Sequence, residues 1–515
     1  MSLSFFKDTS IRDGERELHE LIRTLYLEDD VPWVVGYSGG KDSTATLQLI
    51  WRALSGLDAA ERAKPVHVIS TDTLVENPIV VSWVNRSLDV MASAARDQLI
   101  PVQSHRLTPA LQDTYWVNLI GRGYPAPRNK FRWCTERLKI KPSNDFIRNV
   151  VRASGEAIVV LGTRKAESAA RSRSMDRAAE GRVRDRLSPN VSLPNSLVFT
   201  PIEDWSNDDV WTYLMQVPNP WGFQNRDLLT LYQGASEDGE CPLVVDTTTP
   251  SCGDSRFGCW VCTLVDEDKS MTAMIQNDDD KEWMQPLLSL RNELDPKVER
   301  SHPERRDFRR MSGLVQLYYR KSGDHPDERE EAVIRGPYVQ DVREHWLRRV
   351  LKAQVRVRDQ GPDIVHDLEL ISLPEMEEIR RIWVVEKHEF EDRLPRIFEE
   401  STGEPYPGPE RFEDQGLLGP EELAILRDIC SDSPLEFQMI RELISTEHRF
   451  RTMMSRRGLF GDLEKAIQKH FYDNEADALA VARARKRGLD KADDLPSSTL
   501  PGGHSAPPSH QGLPV

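Results

Sequence analysis

The sequence of 515 residues has no apolar run near the ~20 residues that span a bilayer, and its first stretch, MSLSFFKDTSIRDGERE, lacks a signal-peptide pattern. A cytoplasmic protein with no membrane partner is expected. Cysteine is scarce. Six in a chain of this length do not make a disulfide scaffold, so any that cluster in a reducing compartment point to metal or sulfur chemistry. Positive charge is short overall, and the formal net charge of -16 argues against a generally basic nucleic-acid coat. It is unevenly placed, however. From Arg122 to Arg186, 17 Lys+Arg stand against 7 Asp+Glu, a local balance of +10 that leaves −26 for the remainder. Such a run reads either as a solvated face or as a polyanion track. Also missing is the Walker A spacing, G-x-x-x-x-G-K-[ST].

What stands in its place is WVVGYSGGKDSTATLQLIWRAL, Trp33 to Leu54. The run Trp33, Val34, Val35 reads as a buried strand, and Leu47, Ile50, Trp51 and Leu54 share one face of a following helix. Between them, Gly39 and Gly40 let the backbone approach a ligand, and the helix start presents unpaired N–H groups to an anion. Ser38 and Ser43 add hydroxyls, Lys41 a cation and Asp42 a carboxylate. This is a phosphate cradle, with an ordinary strand-to-helix turn as the bland alternative.

Around it the chain alternates strands and helices. Residues 10 to 29 read as an amphipathic helix, Pro65 to Ser70 as a second strand ending at Asp72 and Thr73, 78 to 99 as a helix, and Ile100 to Val102 as an edge strand. Ala157 to Leu161 is a buried strand ending in Gly162-Thr163-Arg164, with Glu167, Ser168 and Arg171 beyond. Arg164 and Arg171 offer forked donors suited to phosphate oxygens. Gly181 to Ser196 reads as a polar loop, and Val198 to Trp211 as a last strand and a Ser-capped helix. The expected fold is α/β, a parallel twisted sheet with helices on both faces, whose ligand lies beyond the carboxyl ends of the strands. Expected domains are 1–215 for nucleotide, 216–290 cysteine-rich and without regular period, 291–490 helical, and a disordered tail at 491–515. Within the helical part, Arg300 to Arg310 reads as a solvated face, with a phosphate backbone as the alternative.

The cysteines divide unequally. Cys252, Cys259 and Cys262 lie in CGDSRFGCWVC at C-x6-C-x2-C spacing, which suits zinc, an iron–sulfur cluster or a redox dithiol. Cys241 is a spare, Cys134 follows the basic loop, and Cys430 reads as core.

SGGKDS resembles the PP-loop of the ATP pyrophosphatase superfamily, whose members cleave ATP between the α and β phosphates or, in the PAPS-reductase branch, bind an adenylyl sulfate. WCTERLKIKP is similar to an element of PAPS-reductase-like proteins, with one cysteine where the cluster-bearing reductases have two. Together, YSGGKDST, STDTLVENP, WCTERLKIKP, VLGTRKAES and CGDSRFGCWVC resemble the DndC family, the PP-loop sulfurtransferases of bacterial DNA phosphorothioation (Dnd) systems, over roughly residues 10 to 290. The resemblance implies that ATP activates a DNA phosphate and that sulfur replaces a non-bridging oxygen. It assigns Ser38, Gly39, Gly40, Lys41, Asp42, Ser43, Gly162 and Arg171 to the nucleotide. Lys41, Asp42, Asp72 and Arg164 take the chemistry, with Asp42 and Asp72 orienting Mg²⁺. A [4Fe-4S] cluster falls on Cys134, Cys252, Cys259 and Cys262. Implied partners are DNA, a cysteine desulfurase as sulfur donor and other Dnd proteins. An adenylyl-sulfate reductase, a tRNA thiolase and a non-enzymatic DNA-binding scaffold are the alternatives; the reductase would use a mobile C-terminal cysteine, and none follows Cys430.

Overall fold

Successive strand residues point to opposite faces of a sheet, and β1 (Trp33–Gly36) shows it: Trp33 and Val35 join one apolar cluster while Val34 joins another. Both faces are covered, as an unbroken apolar strand requires. The computed structural model describes residues 5–6, 10–235, 258–321, 329–409, 418–451, 453–454 and 456–493. Cys241, Cys252 and the tail from 494 lie outside them.

On one face, α1 (Ile11–Leu27) contributes Leu18, Ile22 and Leu25, and α2 (Lys41–Ser55) contributes Leu47, Ile50, Trp51 and Leu54. Each such side chain stabilises by ~1.5–3 kcal/mol when fully buried, so α2 is anchored firmly behind the glycine loop. β2 (Val66–Thr71), α3 (Pro78–Asp97) and β3 (Val102–Leu107) follow. Then come α4 (Lys141–Ser154), β4 (Ala157–Val160), α5 (Ala169–Glu180), β5 (Leu187–Pro189), β6 (Ser196–Phe199), α6 (Asn207–Gln216) and α7 (Asn225–Gly234). On the opposite face, Ile147 of α4 meets Val34 and Val159.

The strand order is β3-β2-β1-β4-β6-β5. All neighbours are parallel except β5, which runs antiparallel to β6. The chain starts in the middle, moves out to β3 and returns on the other side at β4. Its direction of travel reverses between β1 and β4, and a crevice opens beyond their carboxyl ends. The α/β fold with its helical C-terminal part is as expected, though β5 lies inside the stretch read as a loop.

A second apolar core gathers Trp116, Trp133, Trp260, Trp283, Trp346 and Trp383. The helices Gln340–Gln360 and Leu373–Arg381 pack into it through Leu347, Val350, Val357 and Ile379. Two compact units result: Met1–Arg305 with Tyr338–Glu386 and Asp392–Gln415, and Arg306–Pro337 with Lys387–Glu391 and Gly416–Val515. The division does not follow the boundaries expected at 215 and 290, because helices distant in sequence share the core that holds Trp116 and Trp260.

The other unit contains an antiparallel pair of strands, Leu317–Lys321 with Arg329–Val333, in a region expected to be mainly helical. Its apolar cluster is small, Leu435, Tyr472 and Ala478, and charge networks accompany it. Arg309 donates to His470 (2.9 Å), Gln438 (2.8 Å) and Asp307 (2.8 Å). Arg306 donates through Nε to the Gly336 carbonyl at 2.8 Å. Both are buried, so these two arginines of the Arg300 to Arg310 stretch are internal and not part of a solvated face.

Candidate functional site

The loop after β1 needs its glycines. Gly39 has φ +74°, and a Cβ there would lie 2.6 Å from Val84 Cγ2. Gly40 then caps α2 without a side-chain hydrogen bond, leaving the first amides of the helix directed at the crevice. Ser43 Oγ donates to the Gly40 carbonyl (3.0 Å) and lies 3.2 Å from Ser38 Oγ, closing the cradle. From behind, Trp83 Nε1 donates to the Gly39 carbonyl at 3.2 Å.

Across the crevice, Gly162 follows β4. A Cβ on it would stand 2.8 Å from the Asp42 carbonyl oxygen and 2.9 Å from Thr46 Oγ1, so only glycine lets this strand end touch the start of α2. Arg164, 4% exposed, donates from Nε to Asp42 Oδ1 at 2.6 Å and from Nη1 to the Trp205 carbonyl at 3.2 Å. Asp42 also meets Lys41 Nζ at 3.2 Å. Its carboxylate thus holds two cations beside the cradle. Asp72, at the end of β2, is paired with Arg106 and accepts from the Leu74 amide at 2.8 Å. A Mg²⁺ ion at either carboxylate would have to displace or share these partners.

One cavity of about 1350 Å³ collects this chemistry. Ser38, Gly39, Gly40, Lys41, Asp42, Ser43, Asp72, Gly162, Arg164 and Arg171 all line it, so every nucleotide-site and catalytic residue expected from the sequence faces one space. Tyr232 was not among them. Its buried hydroxyl accepts a hydrogen bond from the Lys41 amide at 3.4 Å, and Lys41 Nζ lies 5.5 Å from its ring centroid. Burial, with Asp42 adding to it, holds the phenol pKa well above its usual value. The stretch after Pro218 was read as lacking period, yet Leu228 and Tyr232, four apart and both buried, carry the helical signal of α7.

The cavity reaches a second wall. Glu76 and Lys139 line it and form an ion pair at 3.1 Å. Cys259 Sγ lies 3.6 Å from Glu76 Oε1 and 3.3 Å from Thr73 Oγ1. The backbone joins the same segments: Trp260 N–H donates to the Val75 carbonyl (2.9 Å) and Asn77 N–H to the Gly258 carbonyl (3.3 Å). The loop that carries Asp72 therefore also carries the thiol segment. Burial, reinforced by Glu76, pushes the Cys259 thiol up to about 12. Burial opposes charge on Lys139, but Cys259 and Glu76 outweigh it and raise its pKa.

Cys134, at the start of a π-helical turn (Thr135–Ile140), has its pKa raised by burial and, more weakly, by Cys262. Cys134, Cys259 and Cys262 are all free thiols. Three of the four expected cluster ligands therefore share one neighbourhood; the fourth, Cys252, lies outside the described residues. Among the described residues, no three His, Cys, Asp or Glu side chains converge closely enough to hold a metal ion. The surroundings nevertheless fit a sulfur-rich group. Tyr115, stacked on Trp133 at 5.3 Å, has a buried hydroxyl with no hydrogen-bond partner among the described residues, and a donor of that kind calls for an acceptor. Cys430 is buried in the other unit, as expected for a core residue.

The basic run resolves largely into internal pairs. Eleven of its 17 cations, Arg128, Arg137, Lys139, Lys141, Arg148, Arg164, Lys165, Arg171, Arg182, Arg184 and Arg186, have carboxylate partners. Most of the local excess therefore neutralises acids elsewhere in the fold.

No described helix is long and apolar enough to cross a membrane. A protein of Methanocaldococcus jannaschii, itself named only as uncharacterized, is 26% identical over 211 residues, 41% of this chain and 37% of that one. The chain thus matches little more than a third of that relative's length. Residues 32–264 match the family described as the phosphoadenosine phosphosulfate reductase domain. That span includes the whole sheet, the glycine loop, Cys134, Cys259 and Cys262, so the chain carries a PAPS-reductase-like domain over residues 32–264.

Proposed function

We propose that this protein is a DNA sulfurtransferase that uses ATP to activate a backbone phosphate, as its resemblance to the DndC family implies. One observation supports the reading above the others: the cavity at the switch point has a phosphate-binding wall, and the thiol segment of Cys259 stands directly behind Glu76 and Lys139 on its other wall.

In the activating step, a non-bridging oxygen of the DNA phosphate attacks the α phosphorus of ATP, and pyrophosphate leaves. The α2 amides and Lys41 hold the β and γ phosphates as charge builds on the departing group. Arg164 keeps Asp42 against the cradle, where Asp42 and Asp72 would hold Mg²⁺. In the second step, the terminal sulfur of a persulfide donor, supplied by a cysteine desulfurase, bonds to the DNA phosphorus. AMP leaves with the former phosphate oxygen. An external thiol then reduces the S–S bond, freeing the donor cysteine as its thiol and leaving the sulfur on phosphorus. Cys134, Cys252, Cys259 and Cys262 would hold a [4Fe-4S] cluster, which when bound supplies a soft site for sulfur. Lys139, beside those thiols, offers positive charge to the anion between the two walls. Other Dnd proteins would handle the DNA before or after.

The test is direct. Anaerobically purified protein, ATP, DNA, a persulfide donor and a thiol reductant should yield pyrophosphate and phosphorothioate dinucleotides detectable by mass spectrometry after digestion. Pyrophosphate without sulfur in the DNA would sink the DNA assignment while keeping the ATP chemistry. The family match favours a second reading, an adenylyl-sulfate reductase. Thiol-dependent sulfite release from adenylyl sulfate, with no pyrophosphate from ATP, would establish it instead.

A further inference from the structure

The pairing of the basic run leaves a remainder with a definite location. Of the six that remain, Arg122 is half-buried and donates to the Gln112 carbonyl at 2.8 Å, while Lys130, Arg132, Arg152, Arg173 and Arg177 are exposed and have no ion pair among the described residues. Arg152 lies in the last turn of α4, whose chain then returns to the start of β4, at the end of the sheet away from the crevice. The other four lie on two segments that lead to the cavity. Arg173 and Arg177 stand one turn apart on α5, whose approach, Glu167 and Ser168, and first turn, at Arg171, line it. Lys130 and Arg132 belong to the second segment. They project from a tight turn closed by the Phe131 amide on the Arg128 carbonyl (2.7 Å), just before Cys134 and the cavity-lining Lys139.

The helix α5 is unusual in its own right. Its twelve residues bury no side chain, and its local support is an N-cap, the Ser168 hydroxyl accepting from the Arg171 amide at 3.1 Å. A helix of that length is marginal unless something covers it. The nearby carboxylates do not cancel its arginines: Asp176 is taken by Lys165, and Glu180 is the last residue of the helix. On the second segment, Glu136 is exposed and lies beyond Cys134 from Lys130 and Arg132.

We propose that a DNA strand docks across the mouth of this cavity, its phosphates held by Arg173 and Arg177 on α5 and by Lys130 and Arg132 beside Cys134. The proposal rests on the DNA-acceptor reading above and names the surface that reading requires. A backbone held at both flanks presents an intervening phosphate to the space between the glycine loop and the thiols. Cations that the fold leaves without a carboxylate partner are the ones that release counterions when a polyanion binds.

The experiment is DNA affinity by fluorescence anisotropy as a function of salt, with a mixed-sequence oligonucleotide in single- and double-stranded form and RNA of the same sequence. Compared are the wild type, Lys130→Ala/Arg132→Ala, Arg173→Ala/Arg177→Ala, the quadruple variant, and a control pair, Arg96→Ala/Arg226→Ala, drawn from exposed arginines elsewhere. Each flank pair should lower the slope of log affinity against log salt by roughly 1.5, and the quadruple variant by about 3. Nucleotide affinity should stay unchanged, and the control pair should leave the slope alone. An unchanged slope in the quadruple variant, a loss confined to one flank, or tighter binding of RNA than DNA would overturn the proposal. A wild type that binds no DNA would overturn the acceptor reading itself, a result distinct from binding that ignores these four residues.

Discussion

The two walls of the cavity are made by different means. The phosphate wall consists of the ends of neighbouring parallel strands. Trp33 is in register with Ile158 and Val35 with Val160, so the loops at Ser38 and Gly162 have little freedom. The thiol wall has no such frame. It joins residues 73–77, 134–139 and 258–262, segments far apart in sequence, by two backbone hydrogen bonds, one ion pair and the contacts of Cys259 with Thr73 and Glu76. Binding can be built into a sheet edge, whereas redox-active or sulfur-carrying groups are brought to it by irregular chain. The walls should therefore be separable by mutation.

The largest expected effect breaks the thiol wall alone. Cys134→Ser should abolish sulfur incorporation and the broad visible absorbance of anaerobically prepared protein, while pyrophosphate release stays within about threefold of wild type, as for independent sites. Pyrophosphate release that collapses with it would mean the two walls act as one. A colourless wild type carrying stoichiometric zinc would instead refute the cluster. The converse substitution, Lys41→Ala, removes charge from the phosphate wall. Pyrophosphate release should fall about 10²–10³-fold, the cost of losing one preorganised charge-stabilising donor, with metal content unchanged.

Gly162→Ala tests the frame itself. The new Cβ meets backbone at Asp42, which cannot swing away as the tip of a side chain would. Overpacking of this kind costs about 1–3 kcal/mol, so the melting temperature should fall by several degrees and ATP affinity by about tenfold. Unaltered affinity would show that the strand ends are less tightly joined than the register implies.

The same contrast explains how much the sequence revealed. Short-range patterns disclosed the glycine loop, Asp72, and Gly162 with Arg164, because each lies at a strand end and carries its signal within a few residues. The sheet was legible for the same reason, as the apolar runs at Trp33, Val66 and Ala157 are local. The thiol wall was legible only as a set of cysteines. Nothing near Glu76 announces that it will meet Cys259, 183 positions away. Charge counting over Arg122 to Arg186 pointed to a polyanion track, but it could not see the carboxylates, such as Asp29, Asp113 and Glu203, that the fold brings to those arginines and lysines. The two compact units cut across the expected domain limits because Leu347 and Ile379 share a core with residues more than 200 positions upstream, which no linker composition reveals.

Tyr232 is the smallest test and the one that bears most closely on the comparison, because it reaches the phosphate wall from a helix outside the strand ends. Its hydroxyl occupies the Lys41 amide at 3.4 Å, a donor that a bound phosphate would use, while its ring supports the Lys41 side chain. Tyr232→Phe keeps the ring and removes the hydroxyl. A single neutral hydrogen bond is worth about 1 kcal/mol, so if the hydroxyl turns to the phosphate when nucleotide binds, ATP affinity should weaken by about fivefold with the maximal rate of pyrophosphate release preserved. Tyr232→Leu, which removes the ring as well, should lower that rate further by letting Lys41 wander. A Phe variant that binds ATP more tightly than wild type would show instead that the hydroxyl competes with the phosphate for the amide, and that the phosphate wall is held partly closed until nucleotide arrives.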